Sequence, residues 1–187
     1  KGRNRMKLSK ENTISLFIDY QERIVPAMNN ASKLIEHSVR LLSGLAVYNI
    51  PVVLTRQYPK GLGDLVSEIK NAAQNEVLFD KTTFSCLDSG EIRNYFSQDS
   101  RVNVLLAGIE THICVLQTAL DLLELGKNVY IATDCVSSRC PEETQTALKR
   151  MYMNGVVPTT GESALFEITR KADSAEFKAI SKLVTNR

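Results

Sequence analysis

Three side chains of complementary chemistry stand at or just behind apolar runs of this chain: the carboxylate of Asp19, the ammonium of Lys81 and the thiol of Cys114. In open parallel sheets ligands gather at the carboxyl ends of the strands, so groups placed there converge even when they are distant in sequence. Asp19 can take the thiol proton, and Lys81 can orient Asp19 while favouring both anions. The segment Leu105-Leu106-Ala107-Gly108-Ile109-Glu110-Thr111-His112-Ile113-Cys114 runs a buried strand into a turn and sets the cysteine on the first turn of a helix. Backbone N–H groups and the helix dipole there favour thiolate over thiol and can hold an oxyanion. The pattern points to nucleophilic acyl chemistry at a carbonyl carbon.

Taken singly, each residue has a plainer reading. Free cysteine is often a small buried hydrophobe, an aspartate after a strand is commonly a loop or cap residue, and a lysine is commonly a solvated charge. Their joint placement favours chemistry. His112 beside the thiol reads as a pocket or packing residue, and Gln57, Tyr58 and Phe84 join it as candidate pocket residues. Cys86 lies five positions beyond Lys81, near enough to be oxidised with Cys114, whereas Cys135 and Cys140 read as packing or incidental.

The elements that must position these groups follow from hydrophobic periodicity. Short apolar runs alternate with longer segments of helical spacing, which predicts an α/β fold of three layers, α/β/α, with a central, mostly parallel six-stranded sheet of Rossmann-like type. Strands are expected over residues 13–18, 52–55, 77–79, 102–107, 128–132 and 156–158. Asn29 or Asn30 is the expected cap of a helix carrying Leu34, Ile35, Val39, Leu42 and Leu45. Further helices are expected over 65–70, 89–97 and 111–125, from Pro141 to about 154, and over 162–168 and 175–184, with Gly126 as a left-handed C-terminal cap. On this reading Lys81 lies two residues after the third strand.

The chain has 187 residues, 43% of them hydrophobic, which suits one domain with a substantial core. Residues 11–187 read as that domain, and residues 1–10 as a basic tail, disordered or left over from expression. Lys1, Arg3, Arg5 and Lys7 supply more than the whole formal net charge of +2, so no basic face for nucleic acid is evident. Four cysteines without Cys-x-x-Cys spacing and two histidines argue for free thiols in a reducing compartment and against a metal cluster. No apolar run approaches the roughly 20 residues that cross a bilayer, and no membrane partner is expected.

The blocks ISLFIDYQ around Asp19, FDKTTFSC around Lys81 and LLAGIETHICVLQTALDLLELG around Cys114 resemble the three signature blocks of the isochorismatase-like cysteine hydrolases, in the same order and spacing. TRQYPKGLG at 55–63, the Ser137-Ser138-Arg139 turn and the ending FKAISKLV are similar to the YcaC-like and isochorismatase domain-containing 2-like branch. The resemblance implies a catalytic triad at Asp19, Lys81 and Cys114, a non-proline cis peptide between Ile109 and Glu110, and an oxyanion held by the backbone N–H groups of Glu110 and Cys114. It also implies a homo-oligomer, whether dimer, tetramer or octamer.

Departures from relatives carry information too. Nicotinamidases of the superfamily place Asp and His metal ligands after the second strand, where this chain has Arg56, Gln57 and Tyr58, so no metal and no cofactor are expected. Enzymes that cleave the vinyl ether of isochorismate do not need the cysteine, so its retention favours thiol-dependent hydrolysis. The branch commonly carries Glu where this chain has Arg56, which reverses a charge near the expected entrance.

The leading expectation is a cofactor-independent hydrolase acting through a thioester on a small amide or related carbonyl substrate, cleaving C–N bonds other than peptide bonds. A catalytically quiet scaffold for protein association is the alternative, and ribonuclease activity a third reading drawn from a related branch protein. A cytoplasmic location is expected, with mitochondria as the alternative.

Overall fold

The computed structural model describes residues 7–74 and 76–185. Its strands are β1 (Thr13–Ile18), β2 (Val52–Gln57), β3 (Glu76–Lys81), β4 (Asn103–Ile109), β5 (Asn128–Ser137) and β6 (Val157–Thr159). They form one sheet in the order β3-β2-β1-β4-β5-β6, with every pairing parallel. The helices are α1 (Ala31–Val47), α2 (Pro59–Leu62), α3 (Ser67–Ala72), α4 (Gly90–Gln98), α5 (Leu116–Glu124), α6 (Pro141–Met153), α7 (Gly161–Thr169) and α8 (Phe177–Thr185).

Strand side chains alternate between two cores, as the pleat requires. Phe17, Leu54 and Leu105 face one way and pack with Leu41 and Leu45 of α1, Ile69 of α3, Leu165 of α7 and Ile180 of α8. Leu16, Val53, Phe79 and Leu106 face the other way and meet Ile92 and Phe96 of α4, Leu122 of α5 and Met151 of α6. Both faces of the central strands are therefore apolar, which is why β1 and β4 are buried at every position.

The chain steps outward from β1 to β3 in one direction and from β4 to β6 in the other, so the order of strands reverses between β1 and β4. Crossovers on either side of that point leave a crevice at the carboxyl ends of these two strands. Ile18 there lies level with Gly108. Gly108 has φ +138, and a Cβ on it would stand 2.6 Å from the Ile18 carbonyl oxygen and 2.7 Å from its nitrogen. Only glycine lets β4 pass β1 this closely.

Several expectations change in detail. The anticipated tail divides: residues 1–6 lie outside the described residues, whereas Leu8 is fully buried and donates its N–H to Glu167 Oε1 at 2.8 Å. Lys81 is the last residue of β3 rather than a residue beyond it. β5 runs on to Ser137 because its register with β4 shifts after Leu106, letting Val136 and Ser137 pair with Gly108 and Ile109. Asn30 precedes α1 with a left-handed backbone, φ 54, and without a side-chain cap hydrogen bond. The short α2, where a loop was expected, begins at Pro59, which has no N–H to lose at a first helical turn. Gly126 does close α5 in the left-handed region, φ 88.

Candidate active site

Asp19 is the first residue after β1 and takes φ 58, a left-handed conformation that aspartate tolerates better than most residues. Its N–H donates to the Thr55 carbonyl at 3.2 Å, and its own carbonyl accepts from the Gln21 N–H at 2.7 Å. The carboxylate is fixed by two donors: Thr55 Oγ1 reaches Oδ1 at 2.7 Å and Lys81 Nζ reaches Oδ2 at 2.8 Å. Both charged side chains are almost completely buried, 0% exposed for Lys81 and 3% for Asp19.

Lys81 reaches Asp19 from two strands away, roughly 10 Å between strand axes, a span that needs a long side chain. Phe79 and Lys81 share one face of β3, and Thr55 and Gln57 share the same face of β2, level with them in the register. The lysine stem therefore crosses β2 over those two residues. Its ammonium donates to Asp19 Oδ2, Gln57 Oε1 (2.7 Å), the Thr83 carbonyl (3.1 Å) and the Phe84 carbonyl (3.3 Å). Burial alone would lower the Lys81 pKa; the Asp19 charge and the hydrogen bond to Asp19, together with the negative charge that Cys86 and Cys114 carry when ionised, outweigh it, and the pKa is raised. Three N–H groups facing four acceptors leave no donor for a substrate, so Lys81 acts as a fixed cation.

Cys114 sits in a single π-helical turn, Thr111–Val115, and the α-helix begins only at Leu116. The wide turn is closed by the Val115 N–H donating to the Glu110 carbonyl at 3.3 Å. The expectation of a thiolate is corrected here. Burial first, then the negative charge of Asp19, push the Cys114 thiol up to about 12, and hydrogen bonding to Asp19 adds to this, while Lys81 pulls the other way. The resting sulfur is a thiol beside a carboxylate ready to accept its proton.

The surrounding loops are tied to this centre. The Ile109–Glu110 peptide is cis. The Glu110 carboxylate, 5% exposed, accepts from the Arg139 N–H at 3.0 Å and from its guanidinium at 3.1 Å. His112 Nδ1 lies 2.9 Å from Ser138 Oγ, so the histidine joins the loop after β5 to the π-turn rather than to the triad. Cys86, fully buried, is held near the same charges. Its thiol is pushed up to about 11 by burial, with Lys81 opposing.

Other sequence candidates fall differently. Gln57 holds Lys81 instead of lining a pocket. Tyr58 and Phe84 are 55% and 57% exposed, and Tyr58, Lys60, Asp80, Lys81, Thr83 and Ser89 are among the walls of a surface cavity of about 440 Å³ that neither Asp19 nor Cys114 lines. Arg56 presents no free charge to an entrance, because Asp80 binds it at 2.7 and 3.0 Å and Asp64 at 2.8 Å. Cys135 is buried away from the triad, and Cys140 is exposed. Among the described residues, no group of three or more His, Cys, Asp or Glu is placed to hold a metal ion.

Sequence reasoning missed Thr55 and Gln21. The available signal was position: Thr55 precedes Gln57 by two residues, so the strand period puts both on the face that Lys81 crosses. Gln21, fully buried, gave no such signal.

The model of the isochorismatase domain matches residues 13–163. Isochorismatase domain-containing protein 2 of Danio rerio is 36% identical over 180 residues, 96% of this chain and 90% of that protein. The structure of a MAR1 ribonuclease from Caenorhabditis elegans superposes with a TM-score of 0.90 at 35% identity, covering 97% of this chain and 93% of the other. The YcaC gene product of Escherichia coli, described as an octameric hydrolase of unknown specificity, shares the fold with a TM-score of 0.92 at 21% identity, over 99% and 92% of the two chains.

Proposed function

This chain belongs to the isochorismatase family and carries its hydrolase scaffold, and from that premise we propose a cofactor-independent cysteine hydrolase acting on a small amide or related carbonyl compound. The observation that carries the reading is the buried Asp19–Lys81 pair, 2.8 Å apart, set against the Cys114 thiol at the reversal point of the sheet.

In this reading Asp19 takes the thiol proton as Cys114 Sγ attacks the carbonyl carbon, and the carbonyl electron pair moves onto oxygen. The backbone N–H groups of Glu110 and Cys114 hold that oxyanion. The oxyanion collapses, the C–N bond breaks, and the departing amine takes the proton from Asp19, leaving a thioester on Cys114. Water then gives a proton to Asp19 and attacks the thioester; the sulfur leaves and recovers that proton, and the acid is released. Lys81 stays protonated throughout, so the site keeps a positive charge while the negative charge moves from Asp19 to the oxyanion and back.

Mass spectrometry after exposure to a panel of small amides tests this reading, using a Cys140→Ser background because the exposed Cys140 reacts with simple alkylating agents whatever the triad does. The expected result is an acyl adduct on Cys114 with amine release, and neither in Cys114→Ala. Turnover that survives Cys114→Ala overturns it. No turnover together with an unreactive Cys114 favours the quiet scaffold instead.

A second reading rests on the name of the Caenorhabditis elegans neighbour, a ribonuclease. RNA cleavage by purified protein that disappears in Cys114→Ala would move the substrate class from amides to RNA. Assembly into a homo-oligomer is proposed on the octameric description of the Escherichia coli neighbour. A monomer by light scattering refutes it.

A further inference from the structure

The Lys81 ammonium is held by the Gln57 side chain as closely as by Asp19. Gln57 Oε1 stands at 2.7 Å, Asp19 Oδ2 at 2.8 Å, and the carbonyls of Thr83 and Phe84 at 3.1 and 3.3 Å. These partners pull in two directions. Asp19 and Gln57 follow or end β1 and β2, across the sheet, whereas Thr83 and Phe84 belong to the segment that leaves β3 itself. With three protons for four acceptors, removing Gln57 Oε1 hands the third proton to the more distant Phe84 carbonyl and draws the ammonium back toward its own loop.

Gln57 is itself held on three sides. Its side-chain amide donates to the Thr82 carbonyl at 2.9 Å, its N–H donates to Gln21 Oε1 at 2.7 Å, and its carbonyl accepts from Gln21 Nε2 at 3.0 Å. Gln21 Nε2 also donates to the Gly63 carbonyl at 2.8 Å, and the Tyr58 N–H donates to the Lys81 carbonyl at 2.8 Å. A fully buried amide is costly unless its polar atoms are engaged, and both the nitrogen and the oxygen of the Gln21 side chain are engaged in binding the end of β2 to the 58–63 segment.

We infer that Gln57 is a positioning residue that aims the Lys81 ammonium at Asp19, and that Gln21 braces it, making the triad and the 58–63 segment one hydrogen-bonded unit. The consequence for reactivity rests on the hydrolase reading above; the geometric claim does not. A neutral acceptor suits this place. It directs the ammonium without adding a second negative charge that would hold the Cys114 proton more firmly.

Lysine ammonium exchange, followed by ¹H–¹⁵N correlation on ¹⁵N-lysine protein, tests the inference in Gln57→Leu and Gln57→Glu. Lys127 is an internal reference, because it is 8% exposed and donates to the Asp99 and Arg101 carbonyls at the opposite end of the sheet; Lys127→Arg identifies its signal. In Gln57→Leu the Lys81 protons are expected to exchange about tenfold faster with Lys127 unchanged, whereas Gln57→Glu, which keeps the acceptor, stays slow. Alkylation of Cys114 in the Cys140→Ser background is expected to slow by about tenfold in Gln57→Glu, since the added charge raises the thiol pKa further. Unchanged Lys81 exchange in Gln57→Leu, or equally fast exchange in both variants, overturns the proposal. Failure of the hydrolase reading shows separately, as a Cys114 that no amide acylates, and leaves the ammonium comparison to decide the position of Lys81.

Discussion

Lys81→Met isolates the electrostatics of the site, because methionine keeps most of the stem while removing the charge. The Asp19 carboxylate, 3% exposed, would be left with the Thr55 hydroxyl and the Cys114 thiol as side-chain donors, and Gln57 Oε1 and the Thr83 and Phe84 carbonyls would lose theirs. Breaking a buried ion pair from one side costs about 3–5 kcal/mol, and the three orphaned acceptors place this variant toward the upper end. Adding Asp19→Asn removes the uncompensated charge but restores no donor to those acceptors, so the double variant should recover about 2 kcal/mol. Urea denaturation of the single and double variants measures both steps. A single variant within about 1 kcal/mol of the parent, or a double variant no more stable than the single, would refute the claim that charge compensation holds this centre together.

Alkaline stability follows from the buried thiols. Burial pushes Cys114 up to about 12 and Cys86 up to about 11, and raises Cys135 as well, so the folded chain keeps protons that the unfolded chain starts to lose near 9.0. Stability should hold through neutral pH and then fall above pH 9 by up to about 1.4 kcal/mol per unit for each thiol, measured as Tm against pH; a flat profile to pH 10.5 contradicts it. Gly108→Ala would drive a methyl group into the Ile18 backbone at 2.6 Å in a left-handed conformation. A loss of about 2–4 kcal/mol is expected in denaturant unfolding, and a near-neutral effect would contradict the close approach of β1 and β4.

The sequence determined the elements and the cast of side chains. Apolar runs of strand length separated by amphipathic helical segments admit little besides a parallel sheet covered on both faces, and β1 occupies residues 13–18, the bounds that its short apolar run predicts. The same pattern put Asp19 and Cys114 behind strands and Lys81 two residues beyond one, where the structure makes it the last residue of β3. Tertiary structure alone decided how they interact. A helix-start cysteine reads as a thiolate in isolation, but the dielectric and the charge around Cys114 come from residues about 30 and 95 positions away in sequence, and they make it a thiol. Arg56 reads as an unmatched cation until β3 and the 58–64 segment bring Asp80 and Asp64 against it. Gln57 reads as a pocket residue until the register of β2 with β3 lays the Lys81 side chain across it. Local sequence fixes periodicity and propensity, whereas solvation, charge pairing and hydrogen-bond partnership depend on which distant backbone arrives alongside, and that is set only when the sheet closes.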